Sequence, residues 1–176
     1  MTIKRSKRRL PATKINEVAS HLLEASTLCS ISTVSGRGGA HVNTAYFAWS
    51  PEFDVVWLSD PSAVHSRNLR RTPSAAVAVY DSTQTWGSPD RGIQLFGSAR
   101  ETTGEAARDS EQLYAKRFRS YAASDFAGYS FYRFRPRRMK LFDESALGAG
   151  VFVTASVVRR GRVRWERTEI LASSGT

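Results

Sequence analysis

Short stretches in which apolar and polar residues alternate dominate this chain, separated by clusters of Gly, Pro, Ser and Asp. Such alternation puts successive side chains on opposite faces and reads as half-buried strands. Strands are expected at about residues 28–34, 41–50, 54–60, 75–81, 92–100 and 129–142. A closing hairpin follows within about residues 150–171, made of VFVTASVV and VRWERTEI and turned at Arg159, Arg160, Gly161 and Arg162. Helical spacing is confined to three places. Val18, Leu22 and Ala25 form one stripe over about Asn16 to Ala25. Asp60 followed by Pro61 offers an N-cap and first-turn residue for a short basic helix that Thr72-Pro73 ends. Thr102 with Glu105 gives a capping-box pattern for a helix to about Tyr121.

Many short strands with few helices and no alternating strand–helix rhythm argue for a mainly β fold, an antiparallel barrel and not a doubly wound sheet. The glycines in Ser35-Gly-Arg-Gly-Gly39 suit a tight hairpin between the first two strands. No GxGxxG or GxxxxGK[ST] run is present. The chain has 176 residues and 41% hydrophobic content, enough for one sizeable core. The expected organisation is a basic, disordered leader at residues 1–12 and a single domain over 13–176.

Charge changes the picture. The net charge is +10, carried by 21 Arg and only 5 Lys. The run KRSKRR at residues 4–9 has the look of a nucleic-acid arm, yet no zinc-finger spacing, aromatic RNA-binding motif or helix-turn-helix accompanies it. An anionic cofactor or substrate accounts better for the internal arginines. No apolar run approaches the roughly 20 residues that span a bilayer, and no secretory signal pattern follows the basic start, so the expected setting is cytoplasmic, without a membrane partner. The lone Cys29 sits in the apolar strand LCSISTV and reads as a small buried hydrophobe. His21 and His41 lack metal-ligand spacing, so no metal site is expected.

The candidate chemistry gathers in DVVWLSDPSAVHSRNLRRTPSAAVAVYD, residues 54–81, where a strand runs into the start of a short helix carrying His65, Arg67, Arg70 and Arg71. Free N–H groups in a helix's first turn attract anions, which suits a phosphorylated cofactor. This stretch resembles the cofactor-binding half of the pyridoxamine 5'-phosphate-oxidase-like superfamily, whose members are split β-barrels that bind FMN or the deazaflavin coenzyme F420. AHVNTAYFAW at 40–49, GIQLFGSAR at 92–100 and YRFRPRRMKLFDE at 132–144 fit the same pattern in order.

The resemblance implies a Greek-key split barrel, homodimeric, with two cofactors at the subunit interface. It assigns cofactor contacts to Ser59 at the strand end, to His65, Ser66, Arg67 and Asn68 on the helix, to Asn43 and Thr44 at the pyrimidine edge of the ring, and to Gln94. Where a family oxidase shows Ser-Arg-Lys, this chain has Ala63-Val64-His65, and Gly92 stands where the vitamin oxidases carry glutamine. Both departures argue against vitamin B6 oxidation. In flavin-type catalysis the ring carries the hydride chemistry, so few catalytic side chains are expected; Tyr46 and Arg138 are the candidates to protonate or polarise a substrate carbonyl. Trp57 reads as core, whereas Trp86, in a Gly- and Pro-containing loop, is a candidate wall of a substrate pocket.

The resemblance thus implies an oxidoreductase. Coenzyme F420, with its phosphate and oligoglutamate tail, suits the positive charge better than FMN, and relatives of that kind reduce conjugated double bonds or enones in organic acceptors, tetracycline-type polyketides among them. An FMN-dependent oxidase or flavin reductase is the alternative within the fold. A non-enzymatic flavin, haem or nucleic-acid binder is the alternative outside catalysis.

Overall fold

The structure is a computed structural model and describes residues 2–172. The chain divides into two compact units, one within Met1–Ser26, Ala78–Leu95 and Arg137–Thr176, the other formed by Thr27–Val77 and Phe96–Pro136.

The second unit holds the strands β2 (Leu28–Val34), β3 (Ala40–Tyr46), β4 (Ala48–Trp49) and β5 (Val55–Ser59), with parts of β6 (Ser74–Tyr80), β7 (Arg91–Glu101) and β8 (Ser130–Asp143). Their order is β4-β5-β8-β7-β6-β2-β3. Since β4 follows β3 after one residue and β3 also lies against β5, the strands close into a barrel. β2 and β3 pair antiparallel from Leu28↔Tyr46 to Val34↔Ala40, and β5 pairs antiparallel with β8 from Val55↔Phe134 to Ser59↔Ser130. The hairpin between β2 and β3 closes as its glycines suggest: the Ser35 amide donates to the Gly39 carbonyl, and Gly38 takes a φ of 81° that side chains rarely tolerate. Cys29, Ile31, Phe47, Val55, Trp57, Val77, Ala99, Tyr132 and Phe134 are buried, and Trp57 stacks on Tyr132 with ring centroids 5.7 Å apart. Trp57 is therefore core, as its strand context implied.

Two helices belong to this unit, α2 (Val64–Arg71) and α3 (Gly104–Arg117). Both begin elsewhere than the sequence suggested. α2 starts at Val64, because Asp60 closes a local turn, its carboxylate accepting from the Ser62 amide at 2.7 Å and its carbonyl from the Ala63 amide. Its end agrees: Thr72 is extended, as a residue before proline prefers. For α3 the capping box does not form. Thr102 donates its hydroxyl to the Phe131 carbonyl of β8, and Thr103 becomes the N-cap, without a side-chain hydrogen bond. The helix ends at Arg117 instead of running on to Tyr121, and a short 3-10 turn follows at Ala123–Phe126.

The first unit is built on β9 (Val151–Val158) and β10 (Arg162–Ala172), an antiparallel hairpin with a bulge between Trp165 and Arg167. The second half of β8 pairs with β9 from Arg138↔Ser156 to Phe142↔Phe152. The helix α1 (Ala12–Glu24) packs on β10 through Ile15, Val18, Ala19, Leu22 and Leu23. It starts earlier than Asn16 because Pro11 presets the entry and Ile15 extends the apolar stripe. A four-residue helix α4 (Glu144–Leu147) is capped by the Asp143 carboxylate.

The leader corrects an expectation. Thr2–Ser6 is not disordered but forms a strand, β1, paired antiparallel with β10 from Thr2↔Ala172 to Ser6↔Thr168. Its basic side chains face solvent while its backbone satisfies the open edge of β10. Arg9 lies over the Trp165 ring at 4.8 Å, and Arg8 donates to the Leu147 carbonyl. Charge opposes burial of side chains, not pairing of backbone.

One close approach fixes the barrel wall. A Cβ on Gly97 of β7 would stand 2.1 Å from the Arg135 carbonyl oxygen and 2.9 Å from the Pro136 Cα, both backbone atoms. Gly97→Ala should destabilise the fold by about 2 to 3 kcal/mol, within the usual cost of overpacking. Urea unfolding would read this as a lowered midpoint, and an unchanged midpoint would show that β7 and β8 can separate without cost.

Candidate functional site

β5 delivers Ser59 to the point where the chain turns into α2, and the helix returns His65 to it: Ser59 Oγ and His65 Nε2 are 2.8 Å apart. His65 is only 7% exposed. Its ring stands edge-on to Tyr132 at 6.4 Å and stacks loosely on His41 at 6.5 Å. Burial, with the His41 imidazole adding to it, holds the His65 pKa below its usual 6.5. At pH 7 the ring is neutral and shares a hydrogen with the Ser59 hydroxyl.

The other inward residues of α2 fasten it. Ser66 donates to the Asp60 carbonyl at 2.8 Å, and Asn68 Nδ2 donates to Thr33 Oγ1 of β2 at 3.1 Å. Leu69 is buried beside them. Ser66 and Asn68, expected as cofactor contacts, thus spend polar atoms on positioning the helix. The outward arginines fold back over the preceding loop: Arg67 donates to the Ser62 carbonyl, and Arg70 to the Pro61 carbonyl at 2.8 Å while standing 3.7 Å from the Glu101 carboxylate. No side chain caps α2 and no acidic residue occupies its first turn. A helix start without a cap, rimmed by two guanidinium groups, is an anion-favouring surface.

On β3, register separates two residues expected to act together. Asn43 stands opposite Ile31 and His41 opposite Thr33, so both share the covered face of the barrel wall. Thr44 points the other way, as do Val42 and Tyr46, which are 63% and 58% exposed. Two atoms on the covered face, His41 Nδ1 and Asn43 Oδ1, are buried and have no protein partner. Unpaired buried polar atoms are costly, and such atoms suit a ligand. His41 and Tyr132 were missed as neighbours of the site. The period-2 spacing of His41 to Asn43 was the available signal for the first, and none existed for Tyr132 before its pairing with Trp57 was known.

Tyr46 is on the outward face with its ring edge-on to Phe118 at 5.8 Å. Arg138, Gln94 and Trp86 belong to the first unit. Arg138 is exposed on β8 opposite Ser156, and Gln94 is exposed on β7. Trp86 is 101% exposed. Gly92 has a structural cause: a Cβ there would meet the Phe142 ring at 2.8 Å and the Val79 carbonyl at 3.3 Å. Phe142 occupies the space that a glutamine at 92 would need.

Residues 15–143 match the family model described as pyridoxamine 5'-phosphate oxidase. No curated protein matches the chain. Among solved structures, a conserved hypothetical protein of Mycobacterium tuberculosis is similar at 17% identity, TM-score 0.64, over 82% of this chain and 92% of that one. A pyridoxamine 5'-phosphate oxidase-related, FMN binding protein of Nostoc punctiforme is similar at 9% identity, TM-score 0.62, over 92% and 98%. A heme binding protein of Mycobacterium smegmatis is similar at 14% identity, TM-score 0.57, over 94% and 89%. At these identities the likeness is one of fold.

The His65 environment sets a pH dependence. With a lowered folded pKa, the folded state binds fewer protons than the unfolded state just below pH 6.5, so stability rises with pH there. The stabilisation is complete above 6.5 and is lost as pH falls from 6.5 through the folded pKa. Urea midpoints measured from about pH 7.5 to about pH 5.5 should fall in the native protein and fall less in His65→Gln. Equal slopes would remove His65 as the titrating group.

Proposed function

The chain belongs to the pyridoxamine 5'-phosphate oxidase family, and from that premise we propose that it is an oxidoreductase using a phosphate-bearing flavin-type cofactor, with coenzyme F420 favoured over FMN. The observation that carries this reading is the bare start of α2, free of acidic residues and rimmed by Arg67 and Arg70. Its phosphate would lie against the Val64, His65 and Ser66 amides, with Arg67 supplying charge. Asn43 Oδ1 and His41 Nδ1, both without a protein partner, are fit to meet the polar edge of a ring. When bound, the cofactor supplies hydride transfer, here to a conjugated C=C or enone of an organic acceptor such as a tetracycline-type polyketide.

The side chains of this chain hold and orient. Ser59 and Asn68 keep α2 in place, and the Ser59–His65 pair lets the site take up a proton when an anion arrives. Val64 and His65, in place of arginine and lysine, weaken the grip on a simple phosphate, which favours a cofactor with further negative charge; the net charge of +10 supports the same preference. Of the two candidates to protonate or polarise a substrate carbonyl, Tyr46 can donate a proton, whereas the Arg138 guanidinium keeps its proton and can only polarise. Leu28, Val34, Val42 and Tyr46 leave an exposed apolar face on β2 and β3, which we assign to a homodimer contact.

A second reading, haem binding without catalysis, is favoured by His41, whose unpartnered Nδ1 is an available imidazole donor. Titration with F420, FMN and hemin, followed by fluorescence and the haem absorption band, separates the readings. Binding of F420 or FMN with proton uptake, seen as tighter binding on lowering the pH through the His65 range, is the expected result. Hemin alone binding, with loss in His41→Ala, would replace it. Arg67→Ala should weaken cofactor binding by about 1.5 to 3 kcal/mol, as for a hydrogen bond to a charged group; an unchanged affinity would take Arg67 out of the site.

A further inference from the structure

A second basic surface lies elsewhere on the barrel unit. Arg100 of β7 and Arg133 and Arg135 of β8 line a cavity of about 290 Å³ together with Ser98, Glu101, Thr102 and Thr103. The period-2 geometry of the strands presents Ser98 with Arg100, and Arg133 with Arg135, on one face of each strand. The acidic groups are Glu101, in the lining itself, and Asp54, next to Arg135, and both are already engaged. Glu101 accepts from the Ser130 hydroxyl at 2.7 Å and stands 3.7 Å from Arg70, and Asp54 stands 3.7 Å from Arg135.

Two guanidinium groups are then left without a carboxylate within ion-pair distance, although the Asp54 charge also acts on Arg133. Arg100 is exposed and has no ion-pair partner among the described residues. Arg133 donates through Nη2 to the Ser110 hydroxyl at 3.1 Å, while its Nε is buried and has no partner. A buried N–H of a charged group left unpaired is expensive, so something at this site is expected to accept from it. The cavity also reaches the first turn of α3, through Thr103 and Ala106. Thr103 makes no side-chain cap, so the first-turn amides add to the donors, and Glu105 in that turn is exposed and does not line the cavity.

We propose that this cavity is an anion site for a small phosphate ester or diphosphate, separate from the surface at the start of α2. Arg133 acts as the half-buried anchor, Arg100 as the outer clamp, and Ser98, Thr102 and Thr103 line the site beside Glu101. The volume sits at the lower end of the roughly 300 to 1,000 Å³ typical of small-molecule pockets, so it suits a small ligand and not a polymer. Planar guanidinium forks match phosphate oxygens in a way that lysines do not.

The test is titration of the full chain with inorganic pyrophosphate, followed by calorimetry and by backbone and arginine side-chain NMR. Shifts at the Gly104, Glu105 and Ala106 amides and at Arg133 Nε–H are expected. Arg100→Gln, at an exposed position, should weaken binding roughly 10-fold, and Arg133→Lys, which keeps the charge but removes the fork, roughly 10- to 100-fold. Arg67→Gln should leave pyrophosphate binding at this cavity unchanged. No binding, or shifts confined to Val64–Ser66 with loss in Arg67→Gln and not in Arg100→Gln, would overturn the proposal. The cofactor reading does not depend on either outcome.

Discussion

The attachment of α2 to the barrel is the constraint on which the candidate site depends. The helix turns His65, Ser66 and Asn68 toward the wall, and a buried polar group without a partner costs on the order of 1 to 3 kcal/mol. Each finds a specific partner: the Ser59 hydroxyl, the Asp60 carbonyl and the Thr33 hydroxyl. Those bonds fix the rotation of the helix, and Leu69 fills the apolar space beside them. With the rotation fixed, the helix start stays bare and Arg67 and Arg70 reach back over the loop before it. The same burial keeps His65 neutral and couples it to His41.

Arginine serves this chain in two ways. Several guanidinium groups cross short gaps to backbone carbonyls: Arg8 to Leu147, Arg67 to Ser62, Arg70 to Pro61 and Arg117 to Phe47, the last also lying over the Phe47 ring at 4.6 Å. A planar fork with five donors can close such gaps and keep its charge. The high Arg-to-Lys ratio therefore has a structural use beyond attraction of anions. Arg100 and Arg133 stand apart from this pattern, which is why their cavity reads as a site and not as a staple.

Much of the barrel was legible in the chain. Alternation from Leu28 to Val34 placed Cys29, Ile31 and Thr33 on the buried face, and the β9–β10 hairpin lies where its residues suggested. These features follow from local sequence, because one residue's shift would turn a strand's apolar set to water. The helix starts were not legible. Asp60 and Thr102 are both plausible caps, but each found another partner: the first in its own turn, the second in the Phe131 carbonyl, sequence-distant and brought near by folding. The basic leader misled for a related reason. Its charges say that Lys4 and Arg5 stay wet, and say nothing of the vacant edge of β10 that their backbone completes.

The site divides along the same line. Sequence alone determined that a strand ending in Ser59 leads into a short helix bearing His65 and several arginines, since those residues are adjacent in the chain. It also determined the family, through ordered segments that folding does not rearrange. Only tertiary structure decided that Asn43 and Thr44 face opposite ways, that Ser66 and Asn68 hold the helix, and that His41 joins His65. Only it put Arg100 and Arg133 in one cavity and left Trp86 in the open. Pairing register and the search of buried polar atoms for partners are long-range conditions, satisfied by the folded chain as a whole and carried by no single segment of it.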